Sequence, residues 1–193
     1  MASGRKEERR KQLKKQYEGL DPAYVLQAGK AIAETVISLP VFQRAASVFV
    51  YLSIDREPAT DAIIKAAFAA GKTVYVPKCE GRCMKAVRIH ADSRMKTGRL
   101  GIPEPEDDSI TAGNRIDLSV IPCLSATPEG YRLGHGMGYY DRFLQDTETC
   151  RLCLCFGKVL AADLPCDSHD ARMDLVVTEA DVFRICGTGR QPG

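Results

Sequence analysis

The 193 residues suit one domain, and an apolar fraction of 45% beside 27% charged residues describes a globular chain with enough material for a sizeable core. A formal net charge of +2 is too small to imply a nucleic-acid or membrane surface by itself, although the first fifteen residues, "MASGRKEERRKQLKK", are locally very basic. No apolar run approaches the ~20 residues of a membrane span, and the N-terminus lacks the apolar core of a signal peptide, so a cytoplasmic location is expected.

Helices and strands alternate along the chain. "KEERRKQLKKQ" holds strong helix formers with few apolar positions, so a helix there is expected to be mostly solvated or held by a ligand. "DPAYVLQAGKAIAETVISL" begins with Asp21 as a cap and Pro22 at the first helical position, then places Val25, Ala28, Ile32 and Val36 on one face. The run "SVFVYLSI", the helix "TDAIIKAAFAA" closed by Gly71, and the β-branched run "KTVYVP" read as a βαβ unit. Further strands are expected at "MKAVRIH", "DLSVIPCLS", "RLCLCF" and "MDLVVTE", with a helix opening near Gly138 and running through "YYDRFLQ". The stretch "IPEPEDDSITAGNR" reads as a surface loop. The expected fold is a single three-layer α/β domain, with a mostly parallel sheet covered by helices on both faces.

Eight cysteines without a secretory signal are expected to be free thiols. In "CRLCLCFG", Cys153 and Cys155 alternate onto one face of a strand, which favours core packing with Cys150 over a zinc site that would need a turn and a fourth ligand. Cys79 and Cys83 flank "EGR", which reads as a hairpin turn.

The stretch "YRLGHGMGYYDRFL" places Gly134, Gly136 and Gly138 at every second position between a strand and a helix. Alternate glycines let backbone N–H groups approach an anion, and the following helix N-terminus adds its positive dipole end. The spacing matches neither GxGxxG nor the Walker sequence, so a phosphate site and a structural glycine turn both stay open.

These residues also carry a resemblance. "GYRLGHGMGYYDRFL" is similar to the signature of the 5-formyltetrahydrofolate cyclo-ligase (methenyltetrahydrofolate synthetase) family, usually G-x-R-L-G-x-G-x-G-Y-Y-D. The basic N-terminal helix, "SIDREPAT", "GKTVYVPK", "GIPEP", "DLSVIPCL" and "LPCDSHDARMDLVVTE" follow in the family's order, so the resemblance spans nearly the whole chain. It implies a NagB/RpiA/CoA-transferase-like domain over residues 1–193, whose N-terminal basic helix, about residues 5–17, contributes to an ATP site. The implied reaction uses ATP and Mg²⁺ to convert 5-formyltetrahydrofolate to 5,10-methenyltetrahydrofolate with release of ADP and phosphate. The implied state is a monomer with no nucleic-acid or membrane partner.

The resemblance assigns roles residue by residue. Lys6 and Arg10 match the family's phosphate-contacting pair, and the ATP-binding stretch runs through Arg132, Leu133, Gly134, His135, Gly136, Met137, Gly138, Tyr139 and Tyr140. Glu57, with Leu52, falls at the folate-contacting position, where Tyr139 and Tyr140 also belong. Asp141 and Asp170 match the magnesium carboxylates, and Glu57, Arg132 and Asp141 carry catalysis. Read without the family, Lys6 and Arg10 are a solvated basic face, Glu57 a loop acid, Asp141 a first-turn acid at a helix dipole, and the tyrosines core aromatics. His135 reads as held by its backbone and not as a base, and His169 as a neighbour that orients Asp170. Asp174, opening an apolar strand, reads as a local cap or pair.

Four positions depart from the usual pattern and bear on pocket shape: Cys123, Ala126, Thr127 and Val159. Two other readings remain: a same-fold ATP-dependent enzyme acting on another formyl or carboxyl compound, and a non-enzymatic RNA or partner binder using the basic N-terminus. The latter leaves the glycine turn and both aspartates without a task.

Overall fold

The computed structural model describes residues 2–54, 56–98, 101–107, 110–168 and 170–185. Its first element, helix α1 (Ala2–Glu18), is exposed over most of its length as its composition leads one to expect, but Leu13 is fully buried, and Tyr17 and, just past the helix end, Leu20 nearly so. Positions 6, 10, 13 and 17 advance alternately by four and three residues, so they share one helix face, and Leu20 continues that spacing just past the helix end. The charge run therefore conceals a narrow inward stripe, apolar toward the C-terminal half and basic, through Lys6 and Arg10, toward the N-terminal half.

Helix α2 (Pro22–Ser38) starts as its sequence predicts, with Asp21 Oδ1 accepting from the Ala23 N–H at 2.9 Å. A short helix α3 (Pro40–Arg44), too brief to show a period, leads into strand β1 (Ser47–Val50). Helix α4 (Asp61–Ala69) and strand β2 (Thr73–Glu80) complete the expected βαβ unit, and β1 and β2 pair in parallel. The chain then reverses into β3 (Cys83–Ile89) through Gly81 and Arg82, with Gly81 at φ +59, so Cys79 and Cys83 do flank a hairpin turn.

Strands β4 (Met95–Thr97) and β5 (Pro103–Pro105) form a separate two-stranded ribbon, which corrects the surface-loop reading of "IPEPEDDSITAGNR" at Pro103–Pro105, while most of its other described residues are exposed loop. Glu104 is buried, its Oε1 accepts from the Cys79 N–H at 3.0 Å, and Thr111 bridges to Val87. Residues 108 and 109 of that stretch lie outside the described residues. Next come β6 (Arg115–Ile121), the small hairpin β7 (Ser125–Ala126) and β8 (Arg132–Leu133), helix α5 (Tyr139–Asp146), β9 (Glu148–Leu154), β10 (Leu175–Val177) and β11 (Val182–Arg184).

The main sheet has the order β11-β10-β9-β6-β1-β2-β3, parallel from β10 to β2, with the antiparallel strands β3 and β11 at its edges. From β1 the chain crosses through α4 to its neighbour β2, and from β6 it crosses the opposite way through α5 to β9. Crossovers of one hand taken in opposite directions put their helices on opposite faces of the sheet. Phe49 of β1 meets Phe143 of α5 at a ring-centroid distance of 4.7 Å on one face, while α4 packs on α2 on the other. The direction reverses between β1 and β6, and ligands of such sheets bind beyond the strand ends at that switch point.

The seven described cysteines are free thiols. Cys153 and Cys155 are buried with Cys123, whose thiol is held well above its ordinary pKa by hydrogen bonding to those two and by burial. Core packing is thus their role, and among the described residues no group of three or more His, Cys, Asp or Glu could hold a metal ion. Asp174 is structural: its Oδ2 accepts from the Arg151 N–H at 2.7 Å. Among the described residues, no helix is long and apolar enough to cross a membrane.

Candidate active site

At the switch point the loops after β1 and β6, together with the start of α1, enclose a cleft of about 760 Å³. It gathers every described residue to which the resemblance assigned a site role: Lys6, Arg10, Leu52, Glu57, the stretch from Arg132 to Asp141, and Asp170. His169 lies outside the described residues. None of Cys123, Ala126, Thr127 and Val159 lines the cleft; all four are buried behind it, so the departures from the family pattern alter packing and not the cleft wall.

The loop after β1 is tied down from several sides. Tyr51 donates to the Pro58 carbonyl at 2.7 Å, and Thr60 Oγ1 donates to the Tyr51 carbonyl at 2.8 Å. Arg56 Nη1 donates to the carbonyls of Tyr17, Glu18 and Leu20, closing the C-terminal end of α1. Glu57, between these anchors, accepts from the Ile54 N–H through Oε2 at 3.1 Å, and its Oε1 stands 3.3 Å from His135 Nε2. His135 thus bridges the glycine turn to Glu57, a contact that spacing alone does not show.

The β7–β8 hairpin, closed by Gly130 at φ +90, delivers Arg132 and then the glycine turn. Two of the three alternate glycines have a steric reason that differs from the expected one. Gly136, at φ +101, makes room for Arg10: a Cβ there would lie 3.1 Å from the Arg10 guanidinium carbon. Arg10 crosses the turn and donates through Nε to the Gly134 carbonyl at 2.9 Å. Gly138, at φ +67, gives way to Arg142, whose Nη2 donates to the Met137 carbonyl and whose Nε donates to the Arg82 carbonyl. Only at Gly134 would a Cβ meet open space, so there the bare backbone faces the cleft. Beyond the turn, Tyr139 lines the cleft and donates to the Gly81 carbonyl at 2.8 Å, and Tyr140 lies edge-on to Phe49. Both tyrosines therefore serve cleft and core together.

Cations and carboxylates alternate along the cleft floor. Arg132, with a side chain only 4% exposed, donates through Nη2 to Asp141 Oδ1 at 2.9 Å, and the Ala171 N–H donates to the same oxygen at 3.2 Å. Arg132 Nε is buried with no partner among the described residues. Such a donor is costly unless something fills its valence. Lys6 is buried and stands 2.5 Å from Asp170 Oδ2 and 2.7 Å from Asp167 Oδ2. Burial pulls its ammonium toward neutrality, but hydrogen bonds to Asp167 and Asp170 outweigh that and hold its pKa above the ordinary value. Asp167, Arg142, Tyr51 and Gln145 are cleft residues that the sequence did not single out, because nothing local marks them.

The arrangement suits an anion bearing a metal. Arg10, Arg132, Lys6, the Gly134 backbone and the N-terminus of α5 supply positive charge. Asp141 and Asp170 could supply the one or two carboxylates that Mg²⁺ takes when phosphate and water complete its shell. The donor set fits, because Asp141 Oδ2 has no partner among the described residues and the Ala171 contact brings the two aspartate segments together.

Comparisons with known proteins identify the family. The profile of the 5-formyltetrahydrofolate cyclo-ligase family matches residues 2–179. The 5-formyltetrahydrofolate cyclo-ligase of Escherichia coli strain K12 is 30% identical over 172 residues, covering 85% of this chain and 94% of that one. The mouse protein of the same name is 27% identical over 186 residues, covering 88% and 91%. The solved structure of Aquifex aeolicus 5,10-methenyltetrahydrofolate synthetase superposes with a TM-score of 0.85 at 28% identity, covering 96% of this chain and 95% of that one. Sequence profile, relatives and fold coincide over almost the whole length, and the chain belongs to the 5-formyltetrahydrofolate cyclo-ligase family of enzymes.

Proposed function

We propose that this chain closes 5-formyltetrahydrofolate to 5,10-methenyltetrahydrofolate with ATP, releasing ADP and phosphate. The observation that carries the reading is one cleft in which a basic, glycine-lined wall stands beside the Glu57 loop, so a phosphate donor and a folate can lie side by side. A formamide is a poor electrophile, since its nitrogen lone pair is delocalised into the carbonyl, and its oxygen leaves only once activated. The formyl oxygen takes the γ-phosphoryl group as the bond to ADP breaks. Folate nitrogen 10 then adds to the activated carbon and gives its proton to water, and the carbon–oxygen bond breaks to release phosphate.

Such chemistry asks the protein for alignment and charge. Lys6, Arg10 and Arg132 hold the phosphates with the turn from Leu133 to Tyr140. Glu57 and Leu52 hold the formyl-bearing ring, with Tyr139 and Tyr140 along the wall. Asp141 and Asp170 would hold Mg²⁺, which when bound neutralises phosphate charge. A single chain supplies all these residues, so the reading needs no second copy, and it suits a cytoplasmic monomer. Lys6 and Arg10 point into the cleft and not outward, which also speaks against a nucleic-acid role for the basic helix.

Incubation with 5-formyltetrahydrofolate, ATP and Mg²⁺ is expected to raise methenyltetrahydrofolate absorbance in step with ADP. ADP release with some other formyl or carboxyl compound and none with this folate would instead identify a same-fold enzyme of different specificity.

The glycine turn gives a sharper expectation. Gly134→Ala adds a methyl where nothing lies within 4 Å, so the melting temperature is expected to hold while ATP affinity falls roughly tenfold or more. Gly136→Ala strains a φ of +101 and displaces Arg10, so both quantities are expected to fall, with about 1 kcal/mol or more of stability lost. Thermal unfolding and calorimetric titration of the two variants check the contrast. Equal ATP affinity of Gly134→Ala and wild type would remove phosphate from that part of the cleft.

A further inference from the structure

We propose that Asp167 is a positioning residue that keeps Lys6 in the cleft once Asp170 is committed to a metal ion. The inference rests on the phosphoryl-transfer reading above. Its starting point is a lysine shared by two carboxylates. Asp141 already has Arg132 as a counter-ion, yet the single ammonium of Lys6 has two carboxylates, Asp167 Oδ2 at 2.7 Å and Asp170 Oδ2 at 2.5 Å. Either pairing alone would satisfy a buried lysine, so Lys6 can give up one carboxylate and keep the other.

Hydrogen bonds between the two aspartates build that arrangement. The Asp170 N–H donates to the Asp167 carbonyl at 3.1 Å and the Asp167 N–H donates to Asp170 Oδ2 at 2.7 Å, so the two carboxylates are presented together to one ammonium. If Asp170 were the sole partner of Lys6, turning it to a metal would leave a side chain that is 9% exposed with an uncompensated charge, which is strongly disfavoured. Asp167 removes the conflict. Its side chain is the more exposed of the pair, at 29% against 17%, so it can retain the ammonium without itself being needed deep in the cleft. Lys6 then stays aimed at the phosphates while the metal takes Asp170.

The test is ATP binding by the full-length chain, measured calorimetrically with and without Mg²⁺, for wild type, Asp167→Asn, Asp167→Glu and Asp170→Asn. Without Mg²⁺, Asp167→Asn is expected to bind ATP within a few-fold of wild type, since Lys6 still has Asp170. With Mg²⁺, its ATP affinity is expected to fall about tenfold and the Mg²⁺ concentration for half effect to rise, because lysine and metal now compete for one carboxylate. Asp167→Glu is expected to restore most of the loss. A loss of equal size with and without Mg²⁺, or no loss at all, overturns the positioning role. If Asp170→Asn removes the Mg²⁺ enhancement while Asp167→Asn leaves it intact, the inference alone fails. If Asp170→Asn retains the full enhancement, the metal reading fails, and the inference with it.

Discussion

Asp141→Asn is expected to lower turnover by at least roughly a hundredfold at saturating folate, with the deficit widest at low Mg²⁺. The reason lies in how its two oxygens are used. Oδ1 accepts from Arg132 Nη2 and from the Ala171 N–H, and asparagine can keep both contacts through its own carbonyl oxygen. What it cannot keep is the negative charge, or an accepting Oδ2 open to a cation. Loss of charge stabilisation in phosphoryl transfer costs several kcal/mol of barrier, at roughly 1.4 kcal/mol for each factor of ten. A purely structural Asp141, a first-turn acid of α5, would be worth only about 0.3–1 kcal/mol of stability and nothing in rate. The ion pair with Arg132 adds a second consequence. Arg132 is 4% exposed, so neutralising its partner is expected to cost about 1–2 kcal/mol as well, a few degrees in a chain of this length. The two effects separate cleanly, because melting temperature tracks the Arg132 contact while the Mg²⁺ dependence of turnover tracks the metal. Turnover within a few-fold of wild type at low Mg²⁺ would end the metal-ligand assignment.

The parts of the molecule that the sequence showed are those whose cause is local. Asp21 and Pro22 announce α2 because a cap and a fixed φ act within one turn, and the β-branched runs around α4 announce the βαβ unit by their own periodicity. The glycine turn was equally visible, since no other residue type adopts such a backbone readily. Its physical cause was not. Gly136 is bare to admit Arg10 from 126 positions earlier, and Gly138 to admit Arg142, so these two glycines serve arginine placement. Elements set by distant partners were hidden. Leu13, Tyr17 and Leu20 form a stripe too narrow to register within a run of charge. β5 exists because Met95–Thr97 lies alongside it, and β11 because β10 offers an edge. Asp167 looks like any loop acid until Lys6 of α1 is brought against it. The cleft was legible through resemblance at the positions where the family's motif names a residue, and illegible where only this chain's own packing decides.

That hidden stripe changes what removal of the N-terminus should do. Deleting residues 1–10 takes away Lys6 and Arg10 but leaves Leu13, Tyr17 and Leu20 to hold the rest of α1 on the core, with Arg56 still closing its C-terminal end. ATP affinity is expected to fall about a hundredfold, since two charge-assisted contacts at roughly 1.5 kcal/mol each are lost, while the melting temperature shifts little. Deleting residues 1–15 goes further. It removes Leu13, which is fully buried, and truncating such a leucine costs about 2–5 kcal/mol, enough to lower the melting temperature markedly. The double variant Lys6→Ala, Arg10→Ala separates charge from helix length: it is expected to match the shorter deletion in ATP binding and to stay folded. Calorimetric titration with ATP and thermal unfolding of all three proteins make the comparison. ATP affinity in the shorter deletion equal to wild type would show that α1 shields the cleft without touching the nucleotide. A longer deletion that melts with wild type would show that Leu13 fills space the core does not need.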